Sequence, residues 1–289
     1  MYVDQLRTAD DIAKHFGCSE TTVRRRLRRF QIPVRHRGPC VQRIRLRNDT
    51  ASLGWSAELA YVVGLIATDG NLGRKKPVIT LASKDVTLLE TVRRCLGLRT
   101  RLQKHPGGYG DHCHHISWHD RRLYEWLREI GLSPAKSLTL RPLAVPDRYF
   151  PDFFRGCIDG DGSVLVYTDR YHVRTCEQYV YERLYISIVS ASYAFIEWLR
   201  TTVRRLTNVN GSISVRQRPA THPLWKLRYA KAQSIQLLKW MYYAPDVPCL
   251  DRKRARAERF LRPLGVASSR RTGRRRIGWL YNGGIEDRP

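Results

Sequence analysis

Gly64-Leu65-Ile66-Ala67-Thr68-Asp69-Gly70 and Gly156-Cys157-Ile158-Asp159-Gly160-Asp161-Gly162 are the stretches on which the fold turns. Each opens on a glycine within an apolar run and closes on an Asp-Gly pair. Small residues recur every fourth position: Ala60, Gly64 and Thr68 in the first, Gly156 and Gly160 in the second. On a helix that spacing clears a strip along which another helix backbone can approach closely. If the two helices pack there, their C-terminal ends lie side by side and carry Asp69 and Asp161 with them. A helix C-terminus already bears negative partial charge. Two carboxylates at such ends need a positive partner, and hard divalent cations bound by oxygen supply one. Gly70 and Gly162 are expected to be left-handed caps that turn the chain away.

Working outward, the two Asp-Gly pairs begin 92 residues apart, so the repeat is domain-sized. Copy one (51–146) reads as a helix from Ser56 to Thr68, a strand over Val78–Leu81 and a helix from Val86 to Leu96. Strands near Arg99–Lys104 and His114–Trp118 follow, then a helix from Arg121 to Ile130. Copy two (147–263) reads as a helix from Asp152 to Gly160, a hairpin region from Ser163 to Ile188 and a helix from Tyr193 to Leu206. Strands near Ile213–Arg218 and Leu224–Tyr229 precede a helix from Ala232 to Tyr242. The order helix, two strands, helix, two strands, helix is read as one pattern twice over, with only Val78–Leu81 placed in the first strand pair of copy one, which makes the chain α+β.

Residues 1–50 form a separate module. Helix-start chemistry at Thr8 leads into a helix with Ile12, Ala13 and Phe16 on its buried face. Gly17 turns the chain, and Ser19 is placed to cap a second helix with Val23, Leu27 and Phe30 on one side. Its other side carries Thr21, Thr22, Arg24, Arg25, Arg28 and Arg29. The pair is similar to a DNA-reading helix-turn-helix; the alternative is a basic helical hairpin that docks on the rest of the chain. Residues 31–54 form a basic linker, with Arg43 and Arg45 able to follow a groove as an arm or simply to connect. Residues 264–289 read as a basic tail.

The net charge of +26 predicts a polyanionic partner, nucleic acid before a membrane surface, since there is no transmembrane-length apolar run or signal peptide. Arginine supplies most of it, which suits phosphates and guanine edges. Seven scattered cysteines with no C-x-x-C pair argue against a disulfide framework or a zinc ribbon and predict a reducing, intracellular compartment.

With both motifs in place, the chain resembles the two-repeat, single-chain LAGLIDADG homing endonucleases over roughly residues 55–262. The resemblance implies two pseudo-symmetric αββαββα repeats whose sheets form a DNA saddle. It places the family's metal-binding carboxylates on Asp69 and Asp161, which would hold Mg²⁺ or Mn²⁺, with Ca²⁺ as a non-catalytic substitute. The implied activity is hydrolysis of one phosphodiester on each strand of a long, asymmetric duplex target by a monomer. The family's earlier acidic position holds Ala67 in copy one and Asp159 in copy two, so the two half-sites need not be equivalent. Lys253 and Lys136 match the family's assisting basic positions, where each either polarises water, stabilises the transition state or merely contacts phosphate. On the strands, Arg216, Arg218 and Arg228 are expected DNA contacts.

Other constellations carry less. Asp111 to His119 invites a zinc reading, but its counterpart, Leu224 to Ala230, is an ordinary strand. Tyr167, Tyr171, Tyr179, Tyr181 and Tyr185, interleaved with Arg170, Arg174 and Arg183, are either an enlarged DNA-contacting hairpin or an ordinary packed strand pair. Two further functions stay open: a regulator that kept the scaffold and lost cleavage, and an RNA-binding intron maturase. The chain does not end in the His-Asn pair of an intein, so a free-standing or intron-encoded protein is expected.

Overall fold

Two helices that are buried almost throughout form the spine of the molecule. The computed structural model describes residues 2, 8–32, 53–106, 112–170, 180–217 and 222–261. The linker arginines Arg43 and Arg45, as well as Arg218, Tyr171, Arg174, Tyr179 and the 264–289 tail, lie outside the described residues.

Helix α3 (Ala57–Thr68) starts where the Ser56 side chain accepts from the Leu59 amide, and it is buried from Leu59 to Ala67. Helix α6 (Phe150–Asp159) is buried at every position except Pro151, near its start, where proline's missing N–H costs nothing. Helices with no solvent-facing side belong inside a core, and these two pack on each other, the charged residues Asp152, Arg155 and Asp159 of α6 being buried with the rest.

After α3 the chain runs β1 (Gly70–Leu72), β2 (Val78–Ser83), α4 (Val86–Leu96), β3 (Gln103–Pro106), β4 (His112–His119) and α5 (Arg121–Glu129). After α6 it runs β5 (Gly162–Asp169), β6 (Tyr181–Ser190), α7 (Tyr193–Thr207), β7 (Ser212–Arg216), β8 (Leu224–Tyr229) and α8 (Lys231–Met241), with α9 (Asp251–Leu261) appended. Both units are therefore αββαββα. Each makes a four-stranded antiparallel sheet of the same order, β1-β2-β4-β3 and β5-β6-β8-β7. Period-two alternation gives each sheet one packed face, with Ile79, Leu81, Ile116 and Trp118 in the first and Val164, Leu184, Ile186, Ile188, Leu227 and Tyr229 in the second. The opposite faces are left for other work.

Gly70 and Gly162 are not left-handed caps. Neither has positive φ; they open β1 and β5 and pair with Leu81 and Ile188. Crowding is what demands glycine: a Cβ would lie 2.5 Å from the Ile66 Cα at Gly70 and 2.5 Å from the Ile158 Cα at Gly162.

The N-terminal pair, α1 (Ala9–His15) and α2 (Glu20–Arg29), has its own small core of Tyr2, Ala9, Ile12, Ala13, Val23 and Leu27. A capping box between Thr8 and Asp11 starts α1, Gly17 turns at φ 60°, and Ser19 caps α2. Phe16 and Phe30 depart from the expected buried faces: they are 64% and 67% exposed. Each is the C-cap of its helix, one residue past the last helical position and three past the last buried one, Ala13 or Leu27.

Candidate functional site

The α3–α6 contact is backbone against backbone. A Cβ at Gly64 would lie 2.2 Å from the Phe153 carbonyl oxygen, and one at Gly156 would lie 2.1 Å from that of Tyr61. At Gly160 it would meet the Thr68 Oγ1 at 2.1 Å and the Asp69 Oδ2 at 3.1 Å. The last contact puts the Asp69 carboxylate directly against the C-cap of α6, one residue before Asp161.

Both carboxylates are open to solvent, and neither has a hydrogen-bond or ion-pair partner among the described residues. The helix ends nevertheless crowd them and thin their hydration. This partial desolvation, then the charge of Asp161, pushes Asp69 up to about 6, with Lys253 and Lys136 opposing. Asp161 is raised by the same desolvation and pulled back by Lys136 and Lys253. Mutual repulsion falls on whichever carboxylate ionises second, which is Asp69.

The sign of the linkage follows. A carboxyl whose folded pKa lies above its unfolded value of about 3.9 is a cost to the fold once ionised, absent at low pH and complete above the folded pKa. The metal-free protein is therefore expected to lose stability from these two groups as pH rises from about 4 through 6. Asp69→Asn should raise the melting temperature at pH 7 and flatten that part of the profile. A lower melting temperature at pH 7 would contradict it.

The compensating charge inside the protein is two lysines. Lys253, only 4% exposed, donates to the carbonyls of Ile158, Asp159, Gly160 and Gly162 at 2.7, 2.8, 3.1 and 2.7 Å. Three protons serve four acceptors, so one is shared. Lys136, 6% exposed and in the 3-10 turn Lys136–Leu138, donates to the Gly70 carbonyl. Each lysine thus reaches the glycine carbonyl just past an acidic helix end, where a cation is most favourable. Burial lowers both ammonium pKa values; the carboxylates of Asp161 and Asp69 raise Lys136, and that of Asp159 leads in raising Lys253.

Asp159 does not share this exposed position. It is buried, accepting from the Tyr61 hydroxyl at 2.9 Å and the Leu250 amide at 2.7 Å. Sequence reasoning missed Tyr61, Leu250 and Arg155. Arg155 is fully buried, paired with Asp152 at 2.6 Å and bonded to the Pro248 and Met241 carbonyls. An arginine inside Phe153-Phe154-Arg155-Gly156-Cys157-Ile158 was the one available signal, since such a charge must find partners.

Two water-accessible carboxylates, completed by water and phosphate oxygens, fit a hard divalent ion such as Mg²⁺ or Mn²⁺. No group of three or more His, Cys, Asp or Glu gathers among the described residues. A cleft of about 220 Å³ opens beside Asp161, lined by Ala67, Thr68, Lys136, Ser190 and Phe195 among others.

The free sheet faces differ chemically. On the second sheet, register aligns Ser163, Leu165 and Tyr167 with Ser187, Tyr185 and Arg183, and continues through Arg228 and Lys226 to Ser212, Ser214 and Arg216. The Arg228 guanidinium lies 3.7 Å from the Tyr185 ring centre. On the first sheet, Thr80 and Ala82 align with Ser117 and His115, and His115 with Gln103. His114 falls on the opposite side with Ile116 and Trp118, so alternation splits the histidine cluster between two faces. Farther off, α2 exposes Thr21, Thr22, Arg25 and Arg28, while Arg24 is held to Glu20 at 2.7 Å.

No family model matches the sequence, and no curated protein matches it. Similar solved structures include the homing endonuclease I-DmoI in complex with DNA and Ca, with a TM-score of 0.46, 14% identity, 69% of this chain and 96% of that one. I-DmoI has also been solved with DNA and Mn, and a single-residue variant of it with target DNA in the presence of Mg. The homing endonuclease I-WcaI bound to its DNA recognition sequence gives 0.44, 11% identity, 70% of this chain and 88% of that one. Full-length DUF199/WhiA from Thermotoga maritima gives 0.45, 15% identity, 75% of this chain and 64% of that one. What the site does has to be read from this chain's own residues.

Proposed function

We propose that the chain is a monomeric, metal-dependent endonuclease that cuts one phosphodiester in each strand of a long, asymmetric DNA duplex. The observation that carries this reading is the pair of unpartnered, solvent-open carboxylates at adjoining helix ends, backed by two buried ammonium groups. A fold with no ligand to bind there gains nothing from like charges held together.

Asp69 and Asp161 would hold the divalent ions. Such an ion, when bound, supplies a water of lowered pKa and neutralises phosphate charge. Lys253, its protons engaged by backbone carbonyls, acts as fixed positive charge for the developing oxyanion rather than as a proton carrier. Lys136 does the same on the other side. The sheets would lie along the major groove, with Tyr185, Arg216 and Arg228 on one half and Thr80, His115 and Ser117 on the other. Unlike faces suit unlike half-sites. The α1–α2 pair, through Thr21, Thr22, Arg25 and Arg28, would extend the contacted sequence. No helix among the described residues is long and apolar enough to cross a membrane.

The test is incubation with a randomised duplex library and sequencing of the ends. Staggered ends at one sequence in Mg²⁺, with binding but no ends in Ca²⁺, are expected. Tight sequence-specific binding without ends in Mg²⁺ or Mn²⁺ would sink the nuclease and leave the regulator, which the exposed face of α2 favours.

The interface has its own check. Replacing Arg216 and Arg228 together with Gln should lower the slope of log K against log salt by about 0.9 for each phosphate no longer neutralised. An unchanged slope would remove this sheet from the DNA.

A further inference from the structure

The two repeats differ at one position beside the site, Asp159 in one and Ala67 in the other. The Asp159 carboxylate grips the amide of Leu250. Leu250 is the residue from which α9 springs, since its carbonyl accepts from the Lys253 and Arg254 amides at 2.9 and 3.1 Å. Lys253 then reaches back to the carbonyls that end α6, that of Asp159 among them. One residue therefore fixes both where α9 begins and where its lysine lands. Arg155, one turn earlier on α6, fastens the approach to α9 through the Pro248 and Met241 carbonyls.

Among the described residues, repeat one has no such brace. Ala67 offers no side-chain acceptor, and Lys136 reaches the single carbonyl of Gly70 from a turn entered through Ala135 at φ 56°.

We propose that Asp159 is a positioning residue that sets Lys253 through Leu250, so that the two strands of a bound duplex are cut at unequal rates and Asp159 controls the inequality. The inference rests on the nuclease reading. It uses the general sensitivity of catalysis to placement, in which a displacement of about 1 Å costs on the order of a hundredfold.

The experiment follows cleavage of a cognate duplex labelled separately on each strand. Lys253→Met first identifies the strand that Lys253 serves. Asp159→Ala should slow that same strand roughly tenfold more than the other. Asp159→Asn, whose amide oxygen can still accept from Leu250, should recover most of the wild-type ratio, and Tyr61→Phe should leave the ratio unchanged. If Asp159→Ala does not fold, Asp159→Ser, too short to reach Leu250, serves the same comparison. Equal slowing of both strands, no slowing, or slowing of the strand that Lys253→Met spares would each overturn the proposal.

Should the wild type cut no duplex, the nuclease reading fails on its own account. Amide hydrogen exchange over residues 250–254 then decides the positioning claim: faster exchange in Asp159→Ala supports it, and equal exchange overturns it.

Discussion

Asp161→Asn is expected to leave the protein folded and bound to its duplex while cleavage falls on the order of 10²–10³-fold or more. Asparagine keeps the size of the side chain and removes the charge. Asp161 has no partner among the described residues to lose, so the substitution breaks no internal bond. It relieves the repulsion borne by Asp69 and lowers the drive to collect a divalent cation. Three readings of one sample separate the roles: melting temperature unchanged or raised, duplex affinity in Ca²⁺ altered little, and turnover in Mg²⁺ lost. Asp69→Asn should behave alike, because the two groups sit at equivalent ends of equivalent helices. Cleavage that persists at the wild-type rate in both variants would remove the carboxylates from the reaction.

The second large effect is on the fold itself. Gly156→Ala adds one methyl group, placed 2.1 Å from the Tyr61 carbonyl oxygen and 3.1 Å from the Gly64 Cα. Backbone cannot swing aside as a flexible side chain does, so α3 and α6 must separate along their length. Overpacking against backbone in the central helix pair is expected to cost about 3 kcal/mol or more, read as a lower denaturation midpoint at unchanged slope. The same separation moves the Asp69 and Asp161 ends apart, so divalent-ion affinity should fall with stability. At exposed Gly54, where a Cβ would meet nothing within 4 Å, alanine should be nearly neutral. Equal effects at the two positions would show that close helix approach is not what Gly156 provides.

The histidine run from His112 to His119 shows how local pattern and tertiary placement part company. Its composition invites a zinc reading that the ordinary strand Leu224 to Ala230 argues against, and register adds that His114 lies with Ile116 and Trp118 while His115 aligns with Ala82 and Gln103 on the other face. Gly70 and Gly162 teach the converse. Glycine was the right residue for a different cause, a close approach to the preceding helical turn rather than a left-handed φ.

Helix spacing, the duplicated Asp-Gly ends and the recurring order of elements are local or periodic properties. Sequence alone therefore indicated the α+β class, a twice-repeated order of elements and a strip on which α3 and α6 could meet, while the three-residue strand β1 (Gly70–Leu72) was too short to show a period. The compensation of charge at those helix ends was not local. Lys136 and Lys253 lie 66 and 91 residues from the glycine carbonyls they reach, and Asp159 meets Tyr61 and Leu250 across 98 and 91 residues. Only the tertiary structure could decide which acid stays open to solvent and which is consumed as a brace. Both follow an apolar helical run, and a buried carboxylate is tolerated only where distant donors happen to converge on it.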